Sequence, residues 1–223
     1  EHALEYIPSG YDYVIHLAAL PHVDFSNFYP SVVLNNNLIS LMRILDYVVN
    51  NETELIFTSS VEVYGGESWK KYCETDIPTP VSIYGYSKQA CEELVKYYIN
   101  KYQIKSTIVR LTNLFGPLQL PDRVIPRNIC RLLDKYSVDL TQNFYRDFLY
   151  VEDACRMIEC LMVKEKNGEI FNLSTGKVHS MQEVINSIVN NLHTEDIVEN
   201  DEAFLQQTRG RYLSIDNVKI KNI

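Results

Sequence analysis

The sequence predicts an α/β fold built on a parallel sheet. Two observations carry this. Short apolar runs with β-branched members recur at 11–19, 55–60, 106–111 and 169–174, and runs of that kind suit strands buried on both faces of a parallel sheet. Long helical patterns separate them, as the right-handed crossovers of βαβ units require. Beyond Pro121 the order changes, which predicts a small second lobe interleaved with the sheet.

The elements follow in order. Tyr11 to Ala19 reads as a strand that ends in small residues. Phe28 to Asn51 reads as a helix with apolar residues almost all round it, so it is expected to be covered on more than one side. The strand Leu55–Ser60 ends on three hydroxyls, Thr58, Ser59 and Ser60. Val61 to Pro80 is expected to be a loop, followed by a helix over Ser82–Tyr102 and the strand Ser106–Leu111. Helices over Val124–Tyr136 and Val151–Lys164 come next, then the strand Glu169–Ser174. A final helix from Met181 carries the capping-box pair Ser180 and Glu183.

Composition excludes several classes of function. A net charge of −8 argues against a nucleic-acid surface. The five cysteines form no Cys-x-x-Cys pair and no disulfide-rich cluster, so they read as reduced thiols of a cytoplasmic protein with no metal site. No basic-then-apolar N-terminus and no apolar run near 18 residues suggests a signal peptide or membrane span.

The stretch Leu55–Lys88 carries the chemistry. In open α/β sheets ligands meet the carboxyl ends of the strands, which is where Ser60 falls. Tyr84 and Lys88 open the next helix at i, i+4, a spacing that shares one helix face. A lysine ammonium near a tyrosine favours its phenolate, and a serine hydroxyl can hold the same substrate oxygen. Such a group suits proton transfer coupled to hydride transfer. The pattern recurs at Tyr97–Lys101, but that copy lies about 20 Å further along the helix axis and is expected at the surface.

On Ser59-Ser60, Tyr84-Gly85-Tyr86-Ser87-Lys88 and Arg146-Asp147-Phe148 with Val151 and Asp153, the chain resembles the extended short-chain dehydrogenase/reductases, specifically their NAD-dependent nucleotide-sugar epimerases and dehydratases. The resemblance runs from about Tyr11 to the C-terminus. It implies a Rossmann-type doubly wound sheet over 1–122, with the catalytic residues, and a substrate-binding lobe mostly over 123–223. It implies Ser60, Tyr84 and Lys88 as catalytic residues. It implies NAD contacts from Leu17, Ala18, Ala19, Asn36, Tyr84, Lys88 and Thr112. A nucleotide-diphosphate sugar would meet Ser60, Asn113, Arg123, Arg146 and Arg211, arginine suiting a diphosphate through its planar fork of donors. It further implies a homodimer in which the helix after His16-Leu17-Ala18-Ala19 and the Tyr84 helix form a four-helix bundle with their copies.

The sequence departs from that family in two places. None of the eight glycines forms the Gly-rich turn that brings backbone amides to the pyrophosphate, and no acidic residue stands about 20 positions after such a turn. The expectation is a chain that starts inside the nucleotide-binding half, without its first strands. At the end of the Leu55 strand, family dehydratases read Thr-Asp-Glu and decarboxylases Thr-Ser-Glu, where this chain has Ser60-Val61-Glu62. Glu62 is kept as a possible catalytic carboxylate, but Val61 cannot act as the acid that expels water. The activity expected is therefore C4 epimerisation through a 4-keto sugar. Dehydration or decarboxylation through Glu62 is the alternative, and a non-catalytic nucleotide-sugar-binding subunit is a third reading.

Overall fold

The structure, a computed structural model, describes residues 8–66, 69–138, 144–164, 166–193 and 211–223. The opening segment 1–7 lies outside the described residues. In chain order the elements begin with β1 (Tyr13–His16), α1 (Val23–Phe28), α2 (Pro30–Asn51), β2 (Glu54–Ser60), a 3₁₀ turn (Val61–Tyr64), β3 (Lys71–Tyr72), α3 (Ile83–Tyr102) and β4 (Ser106–Leu111). They continue with β5 (Asn113–Phe115), α4 (Val124–Leu133), β6 (Phe144–Arg146), β7 (Phe148–Tyr150), α5 (Val151–Val163), β8 (Ile170–Leu173), β9 (His179–Ser180), α6 (Met181–Leu192), β10 (Arg211–Ile215) and α7 (Val218–Lys221).

The main sheet is parallel, in the order β1-β2-β4-β8. Alternate residues of its central strands serve opposite faces. Leu55, Phe57 and Ile108 pack with Leu41, Leu45 and Val95 from α2 and α3. Ile56, Val109 and Phe171 pack with Ile158 and Leu161 from α5 and with Ile220 from α7. Both faces are covered, which explains why every residue of β2 is buried and why its run reads as continuously apolar rather than alternating.

The helix ends follow local chemistry. Pro30 opens α2 at a position where its missing N–H costs nothing. The Ser82 hydroxyl accepts the Gly85 N–H at 3.0 Å and so starts α3 immediately before Tyr84. Ser180 and Glu183 form the expected reciprocal capping box.

A second sheet, β3-β10-β6-β9, stands beside the main one, and β5 pairs with β7. Two expectations are corrected here. The 61–80 segment contains a 3₁₀ turn and a short strand rather than loop alone. The chain does not finish with the helix from Met181, because β10 and α7 follow it. Among the described residues α2 is long and apolar enough by length and composition to cross a membrane. Its Leu41, Leu45 and Val48, however, are buried in the core between α3 and the sheet.

Candidate active site

The carboxyl ends of β2 and β4, the first turn of α3 and the start of α4 surround a cavity of about 610 Å³. Ser60, Glu62, Tyr84, Lys88, Thr112, Asn113, Arg123 and Arg146 all line it, as do Leu17 and Ala19. These residues lie up to 129 positions apart in sequence (17 to 146), so the sheet topology is what gathers them.

Gly85 explains how β2 and α3 come so close. A Cβ at this position would stand 2.7 Å from the Glu62 carbonyl oxygen, so only glycine lets the 3₁₀ turn lie against the first turn of α3. Ser60 caps that turn by accepting the Glu62 N–H at 3.2 Å. The Tyr84 N–H is itself held by the Ser26 hydroxyl at 3.0 Å.

The electrostatics differ from the sequence expectation. Tyr84 is not pulled toward its phenolate by the protein around it. Burial pushes it up to about 12, against a hydrogen bond from Ser60, and the Glu62 carboxylate adds to the rise. Lys88 is 3% exposed and donates to the Thr58 carbonyl at 2.8 Å. Burial brings the Lys88 ammonium down to about 8. Beneath it, burial and the Lys88 charge lower His16 to about 4, so this histidine is neutral near pH 7 and stacks on Phe57 at 6.1 Å.

The arginines divide into two kinds. Arg146 is 8% exposed, and it donates to the carbonyls of Tyr145 at 3.0 Å and Arg211 at 3.2 Å. Burial lowers it to about 10, with Arg211 adding to the effect. It stands on the cavity wall as a cation, with no carboxylate bonded to it among the described residues. Arg211 is outside the cavity lining. It pairs with Glu62 at 2.8 Å and donates to the Gly65 carbonyl at 2.7 Å. Arg123 is half-exposed at the N-cap of α4.

The remaining residues take mixed places. The Thr112 hydroxyl and the Asn113 amide both donate to the Asp147 carbonyl, at 3.0 and 3.1 Å, and so fix the segment that carries Arg146. Ala18 is exposed and outside the cavity lining. Asn36 is exposed too, and the neighbouring Asn37 is the buried asparagine. The Asn37 amide accepts the Leu20 N–H at 2.8 Å and donates to Ser87 at 2.9 Å, tying the Leu17–Pro21 segment to α3. The sequence reading also missed Asp122 and Arg127 on the cavity wall. Arg127 follows Arg123 by four residues on one helix, a spacing that points to a shared face.

The model of the NAD dependent epimerase/dehydratase family matches residues 2–174. The chain belongs to this family. Among curated relatives, a dTDP-glucose 4,6-dehydratase of Streptomyces griseus is 30% identical over 182 residues, covering 80% of this chain and 56% of the relative. The human dTDP-D-glucose 4,6-dehydratase is 30% identical over 181 residues, covering 80% and 52%. The chain thus spans about half the length of the curated relatives it matches. Among solved structures, a dTDP-glucose 4,6-dehydratase of Streptomyces venezuelae with NAD bound superposes with a TM-score of 0.85 at 26% identity, over 96% of this chain and 67% of that one. A UDP-N-acetylglucosamine 4-epimerase of Methanobrevibacter ruminantium gives 0.85 at 28%, over 98% and 72%.

The family is NAD-dependent, and the residues present fit the nicotinamide end of that cofactor. Lys88 is a buried ammonium with donors beyond its bond to Thr58. It shares the cavity with the hydroxyls of Ser60 and Tyr84 and the small side chain of Ala19. Among the described residues no Gly-rich turn leads from a strand into a helix N-terminus, so the fit is to that end alone.

Proposed function

We propose that the protein is an NAD-dependent nucleotide-sugar 4-epimerase acting through a 4-keto intermediate. The observation that carries the reading is one cavity lined by Ser60, Tyr84 and Lys88 on one side and by Arg123 and Arg146 on the other. The first group suits oxidation of a sugar alcohol, the second a diphosphate. Lys88, Tyr84, Ala19 and Thr112 would hold the cofactor's nicotinamide end. When bound, NAD+ supplies a hydride acceptor for the sugar C4 and a positive ring that favours the Tyr84 phenolate. Tyr84 takes the proton of the C4 hydroxyl as that carbon becomes a ketone, and returns it when the ketone is reduced from its other face. Ser60 donates a hydrogen bond to the same oxygen. Arg146, cationic and poorly solvated, gains from a diphosphate what its burial costs.

Val61 supports epimerisation over dehydration. It lines the cavity at the place where elimination of water would need an acid. A second reading rests on Glu62, which also lines the cavity and is kept near Arg211 at 2.8 Å. A carboxylate there could remove the proton beside a 4-keto group, the first half of a 4,6-dehydration. Incubation with NAD+ and a panel of UDP- and dTDP-sugars, followed by NMR, separates the two. A C4-inverted sugar supports the first reading, a 4-keto-6-deoxy sugar the second, and no conversion of any sugar overturns both.

We further propose a homodimer through α2 and α3. Val32, Ile39 and Met42 on α2 and Tyr86 and Tyr97 on α3 are exposed, although the two helices pack side by side. A partner's copy of the same pair would cover them as a four-helix bundle.

A further inference from the structure

A buried ion pair behind the cavity joins every element that carries a candidate catalytic group. Glu92 of α3 and Arg110 of β4 are 0% and 1% exposed. Their contact is bidentate, with Arg110 Nη2 to Glu92 Oε2 at 2.7 Å and Nε to Oε1 at 2.9 Å. Glu92 lies one helical turn beyond Lys88 and two beyond Tyr84, on the same face of α3. Its Oε1 also accepts the Ser59 hydroxyl at 2.6 Å, and Ser59 adjoins Ser60. The other end of the guanidinium donates from Nη1 to the Tyr64 hydroxyl at 2.7 Å. Tyr64 closes the 3₁₀ turn that carries Glu62, and its own hydroxyl donates to Asn172 of β8 at 2.9 Å. Ser59 lines the cavity, whereas Glu92, Arg110, Tyr64 and Asn172 stand behind its wall.

We propose that the Glu92–Arg110 pair is a positioning element that sets the relative placement of Ser60, Glu62, Tyr84 and Lys88 for the reaction. The proposal rests on the function read above. Physical economy argues for it. A buried ion pair adds little net stability against apolar residues of similar volume, whereas a planar, bidentate pair fixes direction as well as distance. Three elements meeting at one guanidinium can hold reacting groups to within the tolerance that turnover needs. A misplacement of about 1 Å can cost on the order of 100-fold in rate.

The test pairs two kinds of variant of the full-length protein. Glu92→Leu/Arg110→Met removes both charges together, so the fold should keep a thermal midpoint near that of the wild type. Positioning predicts that kcat falls on the order of 100-fold while KM and the affinity for the nucleoside diphosphate stay within a small factor. Wild-type kcat in this variant would overturn the proposal. If the double variant fails to fold, Ser59→Ala and Tyr64→Phe each cut one tie by a single hydroxyl. Both should lower kcat with KM kept, and wild-type kcat in both would again overturn it. A readout without substrate separates this from the functional reading. Lys88 faces His16 of β1 and Cys91 and Glu92 of its own helix, and the Glu92 charge favours its ammonium. In Glu92→Gln the Lys88 side chain, followed by NMR in the ligand-free protein, should therefore titrate at lower pH than in wild type. An unchanged titration would show that Glu92 does not act on the catalytic lysine, whether or not a nucleotide-sugar is turned over.

Discussion

Lys88→Met should make the protein more stable and inactive at once. Burial lowers the Lys88 ammonium from 10.5 to about 8. At about 1.4 kcal/mol per pH unit, that difference means the charge costs the folded state roughly 3 kcal/mol at pH 7. The methionine removes this cost, fills a similar volume and loses the hydrogen bond to the Thr58 carbonyl, worth about 1 kcal/mol. The net expectation is a gain of about 2 kcal/mol, or roughly 4–8 °C in thermal midpoint for a chain of this size. The sign with pH follows from the proton count. Between pH of about 8 and 10.5 the unfolded wild type binds a proton that the folded protein does not, so wild-type stability gains relative to the variant as pH rises through that window. Urea unfolding of both proteins at pH 7 and at pH 10 measures this. A variant less stable than wild type at pH 7, or an advantage of the same size at both pH values, would refute the reasoning.

Other substitutions test other parts of the site. Tyr84→Phe should abolish turnover with the fold intact, since only a hydroxyl is lost, while Tyr97→Phe on the exposed face of α3 keeps wild-type rates; steady-state kinetics on both decides. Arg146→Ala should weaken binding of the bare nucleoside diphosphate by about 1.5–3 kcal/mol, read by calorimetry, and unchanged affinity would remove Arg146 from the site. Protonating His16 is unfavourable in the folded state, so stability should fall as pH drops from about 6.5 toward about 4, and His16→Phe should flatten that part of the pH–stability curve. Ile39→Glu with Met42→Glu should convert a dimer to a folded monomer in sedimentation.

The sequence made the main sheet and its site legible because both depend on local patterns. The run Leu55–Ser60 announces a strand buried on two faces. The four-residue step from Tyr84 to Lys88 puts both on one helix face whatever surrounds them. Residues that depend on distant partners were not legible. β10 pairs with β3 and β6, short strands far away in sequence, so nothing beside Arg211–Ile215 marks it as a strand. Arg211 meets Glu62 across 149 positions, and no local signal separates that pairing from an arginine that faces the cavity. Asn36 and Asn37 differ only in helix phase, which the packing of α2 against α3 decides. The upward shift of Tyr84 arises from burial and from Glu62, and neither is visible in a Tyr-x-x-x-Lys pattern.

The most direct measurement of the central claim uses a nucleotide-sugar deuterated at C4. The label is followed by NMR with the wild type and with Tyr84→Phe, both in the presence of NAD+. Oxidation at C4 and return of the same hydride predict a C4-inverted product that keeps deuterium at C4 in the wild type, and no product in the variant. An inverted product whose C4 label has exchanged for solvent hydrogen, or equal turnover by Tyr84→Phe, would contradict the account.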